Sequence, residues 1–302
     1  MVDLSVEVGP VALSNPIIAA SGTAGHGAEL DAYMPLCDLG GVVAKSLLCE
    51  PWPGNPAPRI HSAGVSMINS VGLQGPGVKR WRETDLPTLS RSRATVIASI
   101  WGRSVDDFER AAEDMAGADI VALELNVSCP NTHRGGQMFA HDPDVTAEVV
   151  ERTAVAGVPR WVKLSPNTDA LVDVARAAAQ AGAEGLTLVN TLLGMVIDVE
   201  RRRPTLGGVT GGVSGPALHP VAVRAVYECH KALPDTPIVG VGGVASAADA
   251  VELLLAGASA VQVGTATFSD PRAPMRILDE LRRWCNAHDV SSVKELIGEA
   301  HG

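Results

Sequence analysis

Short apolar runs alternate with stretches of helical period from one end of the chain to the other. Eight runs stand out, at residues 16–20, 41–46, 95–100, 120–126, 160–164, 185–189, 238–242 and 260–263, and most are rich in Val, Ile or Leu. Near-continuous apolar sequence is what a parallel strand buried on both faces requires. Between many of the runs the period changes to that of a helix. Residues 104–116 open on a serine with acids in the first turns, and 168–181 and 246–256 are built alike, each ending near a glycine. A side-chain oxygen at the start and a glycine past the end are helix limits. Eight strands in one alternating series predict an α/β fold, a (β/α)8 TIM barrel, with an open doubly wound sheet as the alternative. Residues 4–13 alternate around Gly9-Pro10, which predicts a short N-terminal β-hairpin closing the barrel bottom. No repeat or linker divides the 302 residues, so 1–302 are expected to form one domain.

Three connections are too long to be turns: 47 to about 93, 130–143 and 191–220. All follow strands, which in a barrel puts them on the catalytic face. Their glycine pairs, Gly135-Gly136, Gly207-Gly208 and Gly211-Gly212, fit either hinged lids or plain surface insertions.

Composition narrows the function. A net charge of −10 gives no general attraction to nucleic acid or anionic membranes, so an anionic substrate would need positive charge placed inside the site. The N-terminus carries no basic segment followed by an apolar one, and no run approaches a membrane span, which reads as a cytoplasmic chain. Five cysteines without a C-x-x-C, and eight scattered histidines, give no metal site, disulfide framework or iron–sulfur cluster within the chain. With aromatics at only 3%, the core must be built from Ala, Val, Leu and Ile.

Polar residues gather where the strands end. The second run ends in Lys45-Ser46, the fourth in Asn126 followed by Val-Ser-Cys129-Pro-Asn131, the sixth leads into Asn190-Thr191, and the fifth holds Lys163. If Asn126 faces the barrel interior, the two-residue period turns Glu124 inward too, where it is expected to offset one of the lysines. Gly242-Gly243 and Gly264-Thr265 follow the seventh and eighth runs, the position at which barrels bind phosphate through backbone N–H groups. Cys37, Cys49, Cys229 and Cys285 read as core residues. Cys129 sits instead in a polar loop at a strand end, where nearby lysines would favour its thiolate. It suits a proton-abstracting base, and with His133 close by a nucleophilic thiol stays open.

These residues carry a resemblance. Asn126-Val-Ser-Cys-Pro-Asn131 resembles the N-x-S-C-P-N signature of class 1 dihydroorotate dehydrogenases. Asn15-Pro16-Ile-Ile-Ala-Ala-Ser-Gly-Thr, Lys45-Ser46, Asn69-Ser-Val-Gly-Leu73, Lys163-Leu-Ser-Pro166, Asn190-Thr191, Gly212-Val-Ser-Gly215, Gly240-Val-Gly-Gly243 and Val263-Gly-Thr265 resemble family segments in family order, over nearly the whole chain. The resemblance implies FMN across the barrel top, its phosphate on Gly242, Gly243, Gly264 and Thr265. Ser21, Lys45, Ser46, Ser99, Asn126, Lys163, Val189 and Gly215 would line the rest of it. Lys163 would stabilise negative charge on the reduced ring. Asn69, the backbone of Ser70, Val71, Gly72 and Leu73, Asn126, Asn131, Asn190 and Thr191 would hold the pyrimidine, with Lys45 near both ligands. Cys129 would remove the C5 proton while hydride passes from C6 to flavin N5, giving orotate for pyrimidine biosynthesis.

Leu73-Gln74 makes the chain more similar to the NAD-linked branch. That branch implies a homodimer of this chain within a heterotetramer, whose electron-transfer subunit carries FAD and a [2Fe–2S] cluster. The chain departs from the family at Gly75, where Asn is common, and at Ser99, where Asn often stands beside the flavin. The alternatives are a dihydropyrimidine dehydrogenase-type catalytic chain, a phosphate-binding lyase or isomerase using Lys45 or Lys163 as a Schiff-base lysine, and a non-catalytic binding barrel.

Overall fold

The computed structural model describes residues 2–129 and 138–302. Eight parallel strands close into a barrel: β1 (Ile17–Ala19), β2 (Gly41–Val43), β3 (Val96–Ile100), β4 (Ala122–Asn126), β5 (Arg160–Lys163), β6 (Gly185–Leu188), β7 (Ile238–Val241) and β8 (Ala260–Val263). They pair in chain order, and the register of β8 on β1, Val261 with Ile17 to Val263 with Ala19, completes the ring. Each strand coincides with a run expected from sequence, trimmed at most ends to the residues in the ladder. Apart from the partly exposed Arg160, every residue of the eight is buried. That explains why the runs read as apolar rather than alternating.

Helices pack outside the barrel for the reasons legible in their first turns. Val105–Met115 starts on Ser104, whose side chain accepts from the Asp107 N–H, and buries Phe108, Ala111, Ala112 and Met115. Ala247–Leu255 starts with a reciprocal cap, Ser246 accepting from the Asp249 N–H while Asp249 accepts from the Ser246 N–H. The third expected helix is shorter than its pattern, Leu171–Gln180. Thr168 turns its hydroxyl to the Ala170 N–H instead and so belongs to the preceding turn. The hairpin Val6–Val8 with Val11–Leu13 is present, and its Val8 lies against Gly185 at the start of β6, at the bottom of the barrel.

Where they are described, the first and third long connections carry strands of their own. The first contributes Ile60–Ala63 and Ser66–Asn69, the third Leu192–Gly194 and Gly211–Ser214, and the four form one antiparallel sheet over the barrel mouth. Sequence reading missed this sheet because its strands are only three or four residues long and the pairing that joins its two halves links segments more than a hundred residues apart. Of the second connection, residues 130–137, with Asn131, His133 and Gly135-Gly136, lie outside the described residues. Among the described residues no helix is long and apolar enough to cross a membrane.

The caps are testable. Ser246→Ala removes the side-chain half of its box, leaving only the backbone N–H to Asp249, and is expected to cost about 1 kcal/mol. The urea midpoint should fall, whereas an unchanged midpoint would mean that tertiary packing alone fixes this helix start.

Candidate active site

The strands end at a common mouth, and the residues just beyond them line a cavity of about 410 Å³. Ser21, Lys45, Ser46, Asn126, Cys129, Lys163, Val189, Asn190 and Thr191 border it from the strand ends. Asn69, residues 70–73 and Gly215 border it from the overlying sheet. Gly242, Gly243, Gly264 and Thr265 complete the wall after β7 and β8. Of the residues picked from sequence, Asn131 lies outside the described residues and Ser99 does not reach the cavity. Ser99 is fully buried in β3, and its hydroxyl lies 2.9 Å from that of Ser46. A side chain whose polar atom sits one bond closer to the backbone than asparagine's stops behind Ser46 and supports it.

Ser46 begins a polar relay along the barrel rim. Asn126 Nδ2 donates to Ser46 Oγ at 3.3 Å, and Asn190 Nδ2 donates to Asn126 Oδ1 at 3.1 Å. Asn190 Oδ1 in turn accepts from the Thr191 N–H at 2.8 Å. These bonds fix both amide orientations. They leave one N–H on each amide uncommitted, at positions that border the cavity.

Beneath the rim lies a buried charge. Glu124 points into the barrel, is fully buried, and lies 3.5 Å from Lys163 Nζ. Gln262 on β8 donates to the other carboxylate oxygen at 2.8 Å, while its own carbonyl faces Lys163 Nζ at 3.4 Å. The carboxylate expected to offset one lysine therefore offsets Lys163. Among the described residues Lys45 has no such partner. Burial, and then the charge of Lys163, lower its amine to about 8. Two lysines thus face one cavity in a chain of net charge −10, one compensated and one not.

Cys129 differs from expectation. Its Sγ lies 3.1 Å from the Gly102 carbonyl and 3.2 Å from the Asn126 carbonyl, and the residue is almost fully buried. Burial pushes the thiol up to about 12, and Asp107 acts in the same direction. The lysines do not draw out the thiolate; the dry surrounding keeps the proton on sulfur. Cys49, Cys229 and Cys285 are buried, as core residues should be, whereas Cys37 is half-buried.

The wall after β7 is bare backbone. Gly242 and Gly243 have φ of +145° and +71°. A Cβ on Gly243 would meet His219 Cβ at 2.7 Å and the Gly215 carbonyl at 2.9 Å, so only glycine fits. His219 Nδ1 lies 2.8 Å from the Gly242 carbonyl and pins this turn, and Thr265 Oγ1 donates to Ser214 Oγ at 2.8 Å. Among the described residues no group of His, Cys, Asp or Glu is arranged to hold a metal ion.

Sequence reasoning missed Gln262 and Asn55. Gln262 gave a signal, a lone amide inside an apolar strand. Asn55 gave none; it donates to Ser70 Oγ at 2.8 Å and borders the cavity from a proline-rich loop.

Comparison with known proteins agrees with this geometry. A family model described as dihydroorotate dehydrogenase matches residues 3–284. The catalytic subunit of dihydroorotate dehydrogenase B (NAD(+)) from Alkaliphilus metalliredigens is 45% identical over 298 residues, 98% of each chain. The corresponding subunit from Bacillus pumilus is 46% identical over 299 residues, 98% of this chain and 96% of the relative. A relative from Solibacter usitatus, whose name gives it as a dihydroorotate dehydrogenase A (fumarate), is 46% identical over 98% of this chain and 97% of its own length.

The raised thiol makes a direct test. Because burial favours the protonated form, thiolate at Cys129 is scarce near neutrality and grows as pH rises. Iodoacetamide should label Cys129 more slowly than the half-buried Cys37 at neutral pH, with a rate that climbs steadily with alkalinity. Rapid labelling at neutral pH, read by peptide mass spectrometry, would mean that the thiol is not held as described.

Proposed function

The chain belongs to the dihydroorotate dehydrogenase family, and from that premise we propose that it oxidises dihydroorotate to orotate in pyrimidine biosynthesis, with FMN as its flavin and Cys129 as its base. The observation that carries the reading is convergence: one cavity brings together the thiol, two lysines, a row of asparagines and a glycine-walled recess.

The residues fit FMN. The recess after β7 and β8 offers backbone at Gly242, Gly243 and Gly264 with the Thr265 hydroxyl, the donor set a phosphate needs where no side chain blocks approach. Lys163 presents a cation from the floor, suited to a ring that becomes negative on reduction. Ser21, Ser46, Asn126, Val189 and Gly215 would line the rest of the flavin, and Ser99 would act on it only through Ser46. When bound, FMN supplies the acceptor for the hydride that leaves C6 of the substrate.

The chain's own residues do the remainder. Asn126 and Asn190 each keep an N–H for the carbonyl edges of the pyrimidine, and Asn69 with the backbone of residues 70–73 meets the ring from above. Asn131 would join them. Among the described residues Lys45 has no carboxylate partner, and the substrate carboxylate would supply one; a neutral dihydropyrimidine would leave that lysine uncompensated. Cys129 would take the C5 proton at Sγ as its thiolate, formed when the thiol proton passes to solvent, and a thiol with a raised pKa is a strong base when ionised. Electrons would pass on to NAD through a partner subunit carrying FAD and a [2Fe–2S] cluster, with this chain as a homodimer within the assembly in the cytoplasm. The words "catalytic subunit" in the names of the NAD-linked relatives support a partner.

Anaerobic addition of dihydroorotate to the yellow purified chain should bleach the flavin band. Cys129→Ala should slow that bleaching by about 10²–10⁴-fold while leaving the oxidised spectrum intact. A colourless chain that cannot be reconstituted with FMN would sink the reading in favour of a lysine Schiff base.

Lys45 adds a pH dependence. Its ammonium, the form that attracts an anion, persists below about pH 8 and is lost above it. Orotate affinity should therefore be level on the acid side and weaken by up to about tenfold per pH unit on the alkaline side. Lys45→Met should bind weakly and show no such break. A wild-type affinity that stays level well past pH 8 would refute the role.

A further inference from the structure

We propose that Glu124 and Gln262 are positioning residues for the reaction: bonded to each other across the barrel axis, they hold the Lys163 ammonium at the cavity floor and supply its counter-charge. The inference rests on the FMN reading above and extends it to two side chains that border neither ligand.

β4 and β8 stand opposite each other, four strands apart either way round the closed ring. Glu124 and Gln262 reach across that space, and both are fully buried. The bond from Gln262 Nε2 to Glu124 Oε2 decides which way the amide faces. With its nitrogen committed to the carboxylate, its oxygen must turn to Lys163 Nζ, 3.4 Å away. The second carboxylate oxygen, Oε1, lies 3.5 Å from the same nitrogen. An ammonium has three N–H donors. Two acceptors below it leave the third for the cavity that Lys163 borders.

Filling this layer of a barrel with branched apolar side chains is the ordinary solution. Three polar side chains cost desolvation that such packing avoids, and a buried ion pair is seldom retained for stability alone. Lys45 shows what the pair changes, because it faces the same cavity without a carboxylate and its amine is held low. Glu124 thus determines which of the two lysines carries a fixed charge, and the one it selects faces the flavin.

Sulfite affinity of the FMN-loaded chain reads that charge directly, since the adduct leaves negative charge on the flavin ring. Glu124→Gln keeps the shape and hydrogen bonding but removes the counter-charge. A buried ammonium left without a counter-charge sheds its proton, so the variant should weaken sulfite binding by about tenfold or more and lower the flavin midpoint potential, with little change in orotate affinity. In a Lys163→Gln background the same substitution should change sulfite affinity less than about twofold, because Glu124 acts through that lysine. If Glu124→Gln does not fold, Gln262→Met, which removes the amide at similar volume, should shift both readouts in the same direction by a smaller factor. A folded variant with wild-type sulfite affinity and potential overturns the inference alone. An equal effect with and without Lys163 also overturns it. A wild-type chain that takes up no FMN overturns the function reading, and the inference with it.

Discussion

Closure of eight parallel strands is the constraint from which the rest of this structure follows. A closed ring has no free edge, so every backbone group of the strands is committed to a neighbour. Irregular backbone is available only where the strands end. All eight run the same way, so the segments after β1 to β8 arrive at one mouth. Residues as distant in sequence as Ser21 and Thr265 thereby border one cavity. The N-terminal hairpin packs at the opposite end, against Gly185.

Electrostatics inside the ring is organised against the character of the whole chain. The protein is acidic overall, yet its cavity is faced by Lys45 and Lys163. Glu124 compensates one of them and leaves the other to a ligand. On the function proposed above, the compensated lysine would stabilise whatever becomes negative during reaction, and the other would favour an anion on arrival. Cys129 completes the set as a thiol kept protonated by burial, its Sγ beside the carbonyls of Gly102 and Asn126.

The sheet over the mouth gives precision that loops alone would lack. Asn69 donates to the Gly212 carbonyl, and Asn55 donates to Ser70. Residues 70–73 are therefore anchored from two sides, against a strand and against a neighbouring loop. Side chains held by bonded neighbours keep their geometry better than side chains on free loops, which matters wherever a bound ring must be held in one orientation.

The sequence alone determined the barrel, the strand ends and most of the candidate residues, because those depend on local pattern. Apolar runs of four to seven residues mark doubly buried strands, Ser104 and Ser246 mark helix starts, and glycine pairs mark bare backbone. The segment containing Cys129 and its neighbouring asparagines indicated the family. Two-residue parity even turned Glu124 inward. Tertiary structure alone decided which lysine Glu124 accompanies, because the deciding partner, Gln262, comes from the opposite side of the ring. It also decided that Ser99 stops short of the cavity, that the long loops pair into a sheet, and that the thiol of Cys129 is held protonated. Each of these turns on distances between residues far apart in the chain. Local periodicity carries no information about such distances, and burial, which sets the charge state of a thiol or an amine, exists only once the chain has folded around it.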